Sequence, residues 1–531
     1  MTEQADIVII GSGIAGALCA WRLVRSGRRV LVLEAGPRID RAVVTKKFSS
    51  AHRHDYSWGY PHPPTAPRPD WSMNKPDTYI IQDGPVTIPF EYLRVVGGTT
   101  WHWGAACDRF LPSDLRMKSA YGVGVDWPID YQQLEPYYSV VERELGASGG
   151  ADAHTGSPRS TVLPLPEMPT IYGEKIVEEK LRSIGVEMVS QASARNSVPY
   201  DGRPQCDGFG TCLTICPTGA QYAAIVHIEK AERMGARVLD GCRVDRIDVD
   251  DAGRVNAVQF GRSDGSTDSA VGKIFILAAN AVESPRLLLA SATEKFPQGI
   301  ANSSGQVGRN FMAHYAIIER MEAADPVYFG RGPLRTHYIN SYRDQPSRRT
   351  QSAAFVIVEN VLELFSSAIE LLEQNLLPPE LDATIRHRVK HETGFFAFIE
   401  QLPQPENRIT IDWNNRDSAG QPRIHLHYGL TDYERRGLAT MRESLSSFAK
   451  VLGAKWVKEW DNMASNHLAG TLRMGTDSTV SVVDPDGRAH DHRNLFVVGG
   501  SVFPTHPACG PTLTIAALAL RTADAIARQL Q

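Results

Sequence analysis

The order of apolar and polar positions predicts strands that alternate with helices at both ends of the chain. Near the N-terminus, residues 6–10 form a continuous apolar run typical of a buried strand. A glycine-rich turn, a helical segment over 17–26 and a second strand over 30–33 follow. Near the C-terminus, a strand over 494–498 leads through a Gly- and Pro-rich turn into a helix over 514–529. Such alternation indicates βαβ units and a parallel sheet.

The middle of the chain has a different pattern. It predicts further strands at 237–262 and 273–279, helices at 130–145, 224–234 and 280–289, and, within 310–460, alternating strands at 395–399, 408–411 and 423–428 beside a long helix at 432–452. Residues 37–90 are rich in Pro, His and Asp, have little periodicity and are predicted to be loop and flap. We therefore predict an α/β protein. A Rossmann-like nucleotide-binding lobe is assembled from discontinuous segments, and an inserted α+β lobe contains a largely antiparallel sheet.

Composition supports a large folded protein and excludes several classes. The chain has 531 residues, 42% of them hydrophobic, which is enough for a sizeable core. Its 56 Lys and Arg against 60 Asp and Glu leave a net charge of −4, without the concentrated basic face that nucleic acid requires. The apolar stretch at 513–520 is shorter than the roughly 18–20 residues of a spanning helix. The polar start at 1–5 predicts no export signal, so the chain is expected to reach a membrane only through partner subunits.

A glycine fingerprint lies between the first strand and the first helix. Gly11, Gly13 and Gly16 follow the spacing GxGxxG, and Glu34 comes 18 positions after Gly16, close to the roughly 20 of dinucleotide-binding folds. In such a turn Gly13 lets the backbone approach a pyrophosphate, and Gly16 lets the helix pack against the strand. The helix N-terminus would bind the phosphates, and Glu34 would bind a ribose. The pattern predicts a dinucleotide site but does not separate FAD from NAD.

Motifs further along the chain resemble one family of flavoenzymes. The segments 467–475, 494–504 and 511–515 resemble the C-terminal signature of the glucose–methanol–choline family of flavin oxidoreductases. More narrowly, six other segments resemble the large subunits of bacterial membrane-associated glucose, fructose and gluconate dehydrogenases: 96–103, 121–124, 194–197, 199–205, 206–216 and 402–409. The resemblance spans essentially the whole chain. It implies an FAD-binding lobe, a substrate lobe above the flavin ring, and oxidation of a hydroxyl of a sugar, glycoside or polyol.

The resemblance also implies how the chain is divided. The FAD-binding lobe is expected to consist of residues 1–36, 85–120, 203–310 and 461–531. The substrate lobe with its flap is expected to consist of residues 37–84, 121–202 and 311–460.

His467 matches the catalytic histidine of this family. A histidine suits a base because its ordinary pKa, roughly 6.5, is near working pH. Asn466 beside it is a candidate to orient the substrate. Relatives carry a second Asn or His near the last helix, but the position that matches by ungapped reading is Gly510. Because glycine has no side chain to bind a hydroxyl, we expect His506, Asn466 or a water to take this role, and His506 is the leading candidate.

Several further residues are expected to contact the flavin. His102 matches the position at which some relatives bond the 8α-methyl carbon of the flavin, although packing beside Trp101 and Trp103 would equally explain it. Its neighbours in the glycine-rich segment, together with two positions near the C-terminus, complete the expected cofactor contacts: Gly97, Gly98, Thr99, Trp103, Gly500 and Thr512.

Three of the seven cysteines, Cys206, Cys212 and Cys216, lie within eleven residues. The last is followed by proline, as is common at iron–sulfur ligands. A zinc site would need a fourth ligand. Three thiolates match a [3Fe–4S] cluster, which the resembled subunits carry with closer spacing, and free buried thiols are the alternative. The remaining cysteines are expected to be small core or turn residues: Cys19, Cys107, Cys242 and Cys509.

The whole pattern predicts a dehydrogenase that passes electrons from FAD through a cluster to an external acceptor. The resemblance implies a cytochrome c acceptor and a small escort subunit that carries an export signal. The compartment is therefore periplasmic or membrane-associated with such a partner, and cytoplasmic without one. An oxygen-using sugar oxidase and a non-catalytic flavin or electron-transfer subunit are the alternatives. Three polar residues at a strand end of the substrate lobe could bind sugar hydroxyls or face solvent: Glu400, Gln401 and Asn407.

Overall fold

The computed structural model describes residues 2–50, 80–88, 90, 92–150, 156–358, 360–361, 364–417, 420–455 and 457–531. Its strands are β1 (Thr2–Gln4), β2 (Ile7–Ile10), β3 (Val30–Leu33), β4 (Ile80–Gln82), β5 (Met188–Ser190), β6 (Arg237–Leu239), β7 (Cys242–Val249), β8 (Val255–Arg262), β9 (Thr267–Val271), β10 (Ile274–Leu277), β11 (Met312–Glu322), β12 (His337–Ile339), β13 (Ala354–Val358), β14 (Glu392–Ile399), β15 (Arg408–Arg416), β16 (Pro422–His427), β17 (Val457–Ala469) and β18 (Leu495–Val497). Its helices are α1 (Ile14–Val24), α2 (Arg41–Ser49), α3 (Met117–Tyr121), α4 (Tyr131–Leu145), α5 (Tyr172–Arg182), α6 (Ile225–Arg233), α7 (Asn280–Ala290), α8 (Leu364–Glu373), α9 (Glu380–His391), α10 (Asp432–Val451) and α11 (Thr512–Gln529).

A five-stranded parallel sheet in the order β18-β10-β2-β3-β6 forms the centre of the first lobe. Its central strands β2, β3 and β10 are buried at every position, as expected of strands covered on both faces. Helix α1 packs against α6 and α11, and α11 packs against α4. This arrangement places the carboxyl ends of β2 and β3 together at one edge of the sheet, where open α/β sheets bind their ligands.

Two smaller sheets flank this core. Strands β7, β8 and β9 form an antiparallel meander, and β1 adds to it in parallel beside β9. A three-stranded sheet in the order β15-β16-β4 connects the stretch after residue 400 with the strand at 80–82.

The second lobe contains a six-stranded antiparallel sheet in the order β17-β11-β14-β13-β12-β5. Helix α10 packs on one face, and its Leu438, Met441 and Leu445 join a core with Ile317 and Phe395 of the sheet. A capping box begins this helix, because Thr431 accepts a hydrogen bond from the backbone N–H of Tyr433 and the Glu434 carboxylate accepts one from the backbone N–H of Thr431. The antiparallel sheet therefore has a covered face against α10, and β11 and β17 extend from it toward the first lobe.

The predicted fold class is confirmed, because a parallel nucleotide-binding sheet built from distant segments carries an antiparallel lobe. The prediction of loop and flap for 37–90 was wrong at two places, since α2 and β4 fall within it, while residues 51–79 lie outside the described residues. Helix α2 was not predicted because Val44 is its only buried residue, so the sequence has no apolar periodicity there. Its start depends on a cap from the Asp40 side chain. The detailed lobe boundaries stay a prediction. Across the described ranges, no helix is both long and apolar enough to cross a membrane.

Candidate active site

The glycine fingerprint forms the turn between β2 and α1. Gly11 adopts a left-handed φ of +100°, and its N–H donates to the carbonyl of Leu33 at 2.8 Å. A Cβ at Gly16 would lie 2.0 Å from the Gly11 carbonyl oxygen, so only glycine allows the helix to start this close to the turn. A Cβ at Gly13 would meet nothing within 4 Å. The turn therefore leaves an open space at the helix N-terminus, which fits a pyrophosphate.

Glu34 lies beside this turn at the end of β3. Its carboxylate accepts hydrogen bonds from the backbone N–H of Ser12 at 2.9 Å, the hydroxyl of Ser12 at 2.6 Å and the backbone N–H of Gly36 at 2.9 Å. Burial raises the pKa of Glu34, and these three hydrogen bonds oppose the shift. The carboxylate is thus oriented at the edge of the cavity where a ribose would follow the phosphates.

The second glycine-rich segment packs against the first. The N–H of Gly97 donates to the Ser12 hydroxyl at 3.1 Å, and a Cβ at Gly98 would lie 3.0 Å from the Cα of Gly13. The hydroxyl of Thr99 accepts from the backbone N–H of Leu93 at 3.1 Å. Two segments about 85 residues apart in the sequence therefore form one wall of the cavity. His102 is buried at the end of this segment.

A buried ionic cluster in the same cavity has no counterpart in the sequence predictions. The Glu283 carboxylate accepts hydrogen bonds from Arg94 at 2.5 Å, Tyr92 at 2.5 Å and Arg286 at 2.8 Å. Burial would raise the pKa of Glu283, but the two arginines hold it at about 2. These side chains line the cavity together with Gly11, Gly13, Glu34, Gly98 and Thr99. The open space at Gly13, the glycine contacts and these polar side chains fit the adenosine diphosphate half of FAD.

Three further predicted flavin contacts, two of them near the C-terminus, lie outside the residues that line this cavity. Gly500 is buried, its carbonyl accepts from the N–H of Gly470 at 3.1 Å, and a Cβ there would lie 2.4 Å from the carbonyl oxygen of Leu468. Thr512 is the first residue of α11 and is partly exposed. Trp103 is buried, and its indole N–H donates to the carbonyl of Tyr222 at 2.8 Å. Contact of these residues with the flavin stays a prediction.

His467 lies in an irregular part of β17. Met312 of β11 pairs with Ala469 and His314 pairs with Ala464, so β17 carries extra residues opposite a single residue of β11. Such bulges aim side chains away from the regular ladder and are frequent at active sites. The His467 ring is partly exposed, whereas the side chain of Asn466 lies outside the described residues.

Three histidines from different parts of the chain meet at this bulge. Nδ1 of His467 lies 2.9 Å from Nδ1 of His314, and Nε2 of His314 lies 2.9 Å from the carbonyl oxygen of Pro507. Nε2 of His506 lies 2.8 Å from the carbonyl oxygen of His467, and the rings of His506 and His314 are 3.9 Å apart. His314 and His506 are completely buried.

All three imidazoles are neutral at ordinary pH. Burial lowers the pKa of His467 to about 3, with further lowering by the charges of His506 and Arg335. Burial lowers the pKa of His506 to about 4, although the carbonyl groups of His467 and Pro507 oppose the shift. The pKa of His314 is lowered well below its ordinary value by burial and by the two other histidines. The cluster therefore offers uncharged nitrogens that can accept protons.

The space beside Gly510 is occupied by Ala106 and Asp108. A Cβ at Gly510 would lie 3.2 Å from the Cβ of Ala106 and 3.3 Å from Oδ2 of Asp108. Asp108 is completely buried, and both its oxygens accept hydrogen bonds from Gln191, at 3.2 and 3.0 Å. Burial raises the pKa of Asp108, and the guanidinium groups of Arg343 and Arg335 oppose the shift. A side chain at 510 would therefore be tight against Ala106 and the Asp108 carboxylate.

The cysteine loop is described, but it does not form the predicted ligand set. Cys206 and Cys216 are partly exposed, Cys212 is buried, and all three are free thiols. Within the described residues, no group of three or more His, Cys, Asp or Glu side chains could hold a metal ion. The loop is held in this arrangement by Gln221, whose backbone N–H donates to Sγ of Cys216 at 3.4 Å and whose side chain donates to the carbonyl of Cys212 at 3.1 Å.

The three polar residues of the substrate lobe are used internally. Glu400 accepts hydrogen bonds from Arg348 at 3.1 and 2.6 Å and from the Tyr433 hydroxyl at 2.7 Å. Gln401 accepts from the backbone N–H of Ala313 at 2.7 Å, and Asn407 exchanges two hydrogen bonds with the backbone of Gly429. All three are buried. The alternative that they face solvent was therefore wrong, and their polar atoms stabilise the lobe itself, while sugar binding by these residues stays a prediction.

The parallel sheet, its glycine turn and the nucleotide cavity define a dinucleotide-binding protein, and the comparisons identify it as an FAD-dependent oxidoreductase. The family description "FAD dependent oxidoreductase" matches residues 6–372, and "GMC oxidoreductase" matches residues 403–519. The chain is 37% identical to the fructose dehydrogenase large subunit of Gluconobacter japonicus, over 100% of this chain and 99% of that protein. The chain belongs to the glucose–methanol–choline family of flavin oxidoreductases.

Two further similarities agree with this assignment. The chain is 22% identical to the gluconate 2-dehydrogenase flavoprotein of Pantoea cypripedii, over 99% of this chain and 94% of that protein. A solved structure of formate oxidase from Aspergillus oryzae RIB40 superimposes with a TM-score of 0.68 at 15% identity, covering 99% of this chain and 98% of that one. The superposition supports the fold, and the two dehydrogenases support the family.

Proposed function

We propose that this protein is an FAD-dependent dehydrogenase that oxidises a hydroxyl of a sugar, glycoside or polyol and passes the electrons to an external acceptor. The observation that carries the proposal is the partly exposed, neutral imidazole of His467 beside the flavin-binding lobe. The identity of 37% to a fructose dehydrogenase large subunit supports a sugar as the substrate class.

Bound FAD supplies a two-electron acceptor for the hydride of the alcohol carbon. The chain has to remove the hydroxyl proton and hold the oxygen while this happens. His467 is placed to take that proton on a ring nitrogen, because its neutral form has a free lone pair. Proton removal leaves electron density on the oxygen, which favours departure of the hydride and formation of the carbonyl product.

His506 holds the backbone of His467 in place during this step. Its Nε2–H donates to the His467 carbonyl at 2.8 Å, and its own backbone exchanges two hydrogen bonds with Gln401. The side chain is completely buried, so we assign it a positioning role instead of direct contact with the substrate hydroxyl. Arg335 adds a positive charge near His467. Its Nη2 packs against Gly104, where a Cβ would lie 2.2 Å away.

Addition of the correct sugar to the oxidised holoenzyme without oxygen should bleach the flavin absorbance at 450 nm (roughly the usual flavin band). A panel of ketoses, aldoses, glycosides and polyols identifies the substrate by the rate of bleaching. Full bleaching by a sugar supports the proposal. If no member bleaches the flavin while dithionite does, a non-catalytic subunit is the better assignment. Stoichiometric hydrogen peroxide on admission of air, with no reduction of a dye or cytochrome c, would instead identify an oxidase.

The proposed exit for electrons is a [3Fe–4S] cluster held by Cys206, Cys212 and Cys216. The spacing supports it. Burial raises the pKa of Cys206, and the nearby Cys212 and Cys216 raise it further, so the three thiols are electrostatic neighbours. The side chain of Gln221 joins the carbonyl of Cys212 to that of Trp103 at 3.1 and 2.9 Å, and thereby links the loop to the flavin segment. Within the described residues the thiols are not arranged as a metal site, so the proposal of a cluster rests on the sequence spacing and on these contacts.

Purified holoenzyme should therefore contain about three iron atoms per chain and give the EPR signal of an oxidised three-iron cluster. Cys212→Ser should remove both and slow reduction of cytochrome c by at least about tenfold, while sugar-driven flavin bleaching stays within about twofold. Cys242→Ser, at a buried cysteine outside the loop, is the matched control. Wild-type protein without iron that still reduces cytochrome c at full rate would contradict the cluster. The escort subunit, the cytochrome partner and covalent flavin attachment through His102 stay predictions.

A further inference from the structure

We propose that His314 is a positioning residue that fixes the protonation pattern of His467, so that Nε2 of His467 is the atom that takes the substrate proton. The inference rests on the proposed function and refines it to single atoms. It starts from the two contacts of the His314 ring, one with His467 and one with the backbone carbonyl of Pro507, each at 2.9 Å.

The contact with Pro507 determines where the proton of His314 lies. A carbonyl oxygen can only accept a hydrogen bond, so Nε2 of His314 must carry a hydrogen to form a contact at 2.9 Å. The reverse tautomer would place the nitrogen lone pair against the carbonyl lone pairs in a buried site, which is strongly unfavourable. In a neutral imidazole the other nitrogen then has no hydrogen, and Nδ1 of His314 is an acceptor.

The same reasoning extends to His467. Its Nδ1 lies 2.9 Å from the acceptor Nδ1 of His314, so Nδ1 of His467 must be the donor. His467 is neutral, which is consistent with its lowered pKa, and Nε2 therefore keeps its lone pair. Within the part of the chain that the structure describes, no hydrogen bond is recorded at Nε2 of His467, and the ring is partly exposed. Nε2 of His467 is thus an accessible base.

The arrangement also suits the charged state that forms during the reaction. When the substrate O–H bond breaks, its proton moves to Nε2 of His467 and the bond electrons stay on the oxygen. The carbonyl would form there once a bound flavin accepted the hydride of the carbon. The imidazolium still donates its Nδ1–H to His314, whose lone pair stabilises the positive charge. In the Ser-His-Asp triad the aspartate orients the catalytic histidine and stabilises its imidazolium, and here a neutral imidazole takes the place of that aspartate.

His314 is enclosed by aromatic and imidazole rings. It is completely buried, and its ring contacts those of Phe355 and Phe398 at 6.2 Å and that of His506 at 3.9 Å. His314 and His506 each point one nitrogen at a backbone carbonyl, of Pro507 and His467 respectively. The backbone therefore sets the tautomer of His314, and His314 sets that of His467.

The test is the 15N NMR spectrum of FAD-loaded protein labelled at histidine, with the His467 signals assigned by their loss in His467→Asn. We expect a protonated-type shift at Nδ1 and an unprotonated-type shift at Nε2. His492 is an internal reference for this tautomer, because its Nε2 accepts from the N–H of Ala301 and its Nδ1 faces the carbonyl of Gly253. In His314→Leu the Nδ1 preference should be lost, and in His314→Asn, which keeps an acceptor oxygen, it should remain.

The kinetic readout uses the same variants. His314→Leu should lower kcat about 30-fold with KM changed less than about threefold, and His314→Asn should recover kcat to within about fivefold of wild type. His492→Asn controls for removal of a buried, backbone-bonded histidine. A wild-type spectrum with the hydrogen on Nε2 of His467 overturns the proposal, as do equal kcat losses in the two variants with no change of tautomer. The wild-type spectrum tests the tautomer of His467 even if His314→Leu does not fold. It needs no substrate, so a failure of the proposed function in the sugar panel is distinguished from a failure of this proposal.

Discussion

Replacing His467 by alanine should slow flavin reduction by the substrate about 10³-fold, while FAD content and fold remain intact. The size follows from general base catalysis, which contributes roughly 10²–10⁴-fold when a positioned group takes a proton in the transition state. Because the ring belongs to a bulge of β17 and not to the regular ladder, its loss leaves the pairing of β11 with β17 in place.

The measurement is single-turnover flavin reduction in stopped flow without oxygen, with thermal unfolding of the same samples as the check on fold. His387→Ala is the matched control, because this histidine is 44% exposed on α9 and distant in sequence from the cluster. A His467→Ala protein that reduces its flavin within tenfold of wild type would show that another residue or a water is the base.

Replacing Gly13 by alanine should weaken FAD binding by at least about 10²-fold, and valine should weaken it further, with little effect on the apoprotein. A Cβ at this position meets nothing within 4 Å, and the backbone has a φ of −61° that alanine adopts freely. The new methyl group therefore costs the apoprotein no more than about 1 kcal/mol as a helix N-cap change. It occupies the open space that fits the pyrophosphate.

Gly16→Ala gives the contrasting result, because its Cβ would lie 2.0 Å from the Gly11 carbonyl oxygen. We expect that variant to lose stability by several kcal/mol, about the cost of overpacking a core or more. Titration of apoprotein with FAD, followed by flavin fluorescence, and unfolding of the apoprotein in urea separate the two effects. Gly13→Ala that binds FAD as tightly as wild type would exclude the fingerprint turn as the phosphate site.

The nucleotide lobe was predictable because its contacts are close in sequence. The strand, turn and helix over residues 7–24 are adjacent, so the apolar run and the glycine spacing already define their geometry. The Glu34 carboxylate was predictable for the same reason, since it ends the next strand of the same unit. Helix α2 was not, because a helix with one buried residue has no periodicity to detect.

The histidine cluster was only partly predictable. His467 could be found through the motif that carries it, but His314 is one of 16 histidines and is separated from His467 by 153 positions. Its one local signal is its place in a strand that is buried at nearly every position, which many core residues share. The same holds for Asp108, which faces Gly510 across a long stretch of the chain. Pairing of β11 with β17 creates the contact between His314 and His467, and neither strand taken alone indicates it.

Polar residues were the least predictable part of the site. Glu400, Gln401 and Asn407 have the chemistry to bind a sugar, and the cysteine spacing has the chemistry to bind a cluster. The structure uses the first three to satisfy buried backbone and charged groups, and it holds the cysteine loop through Gln221. Buried polar atoms must find partners, and which partner each one finds depends on packing between lobes.

The amino-acid sequence alone is sufficient for the α/β class and the dinucleotide turn, because periodicity and glycine spacing are local properties. FAD as the cofactor and His467 as the candidate base follow from the resemblance of contiguous motifs to one family. Tertiary structure decides the rest. Only strand pairing and burial bring His314 and His506 against His467, lower the pKa of all three rings, and place backbone carbonyls against His314 and His506. A proton position in a buried site depends on every neighbour at once, and those neighbours come from distant parts of the chain.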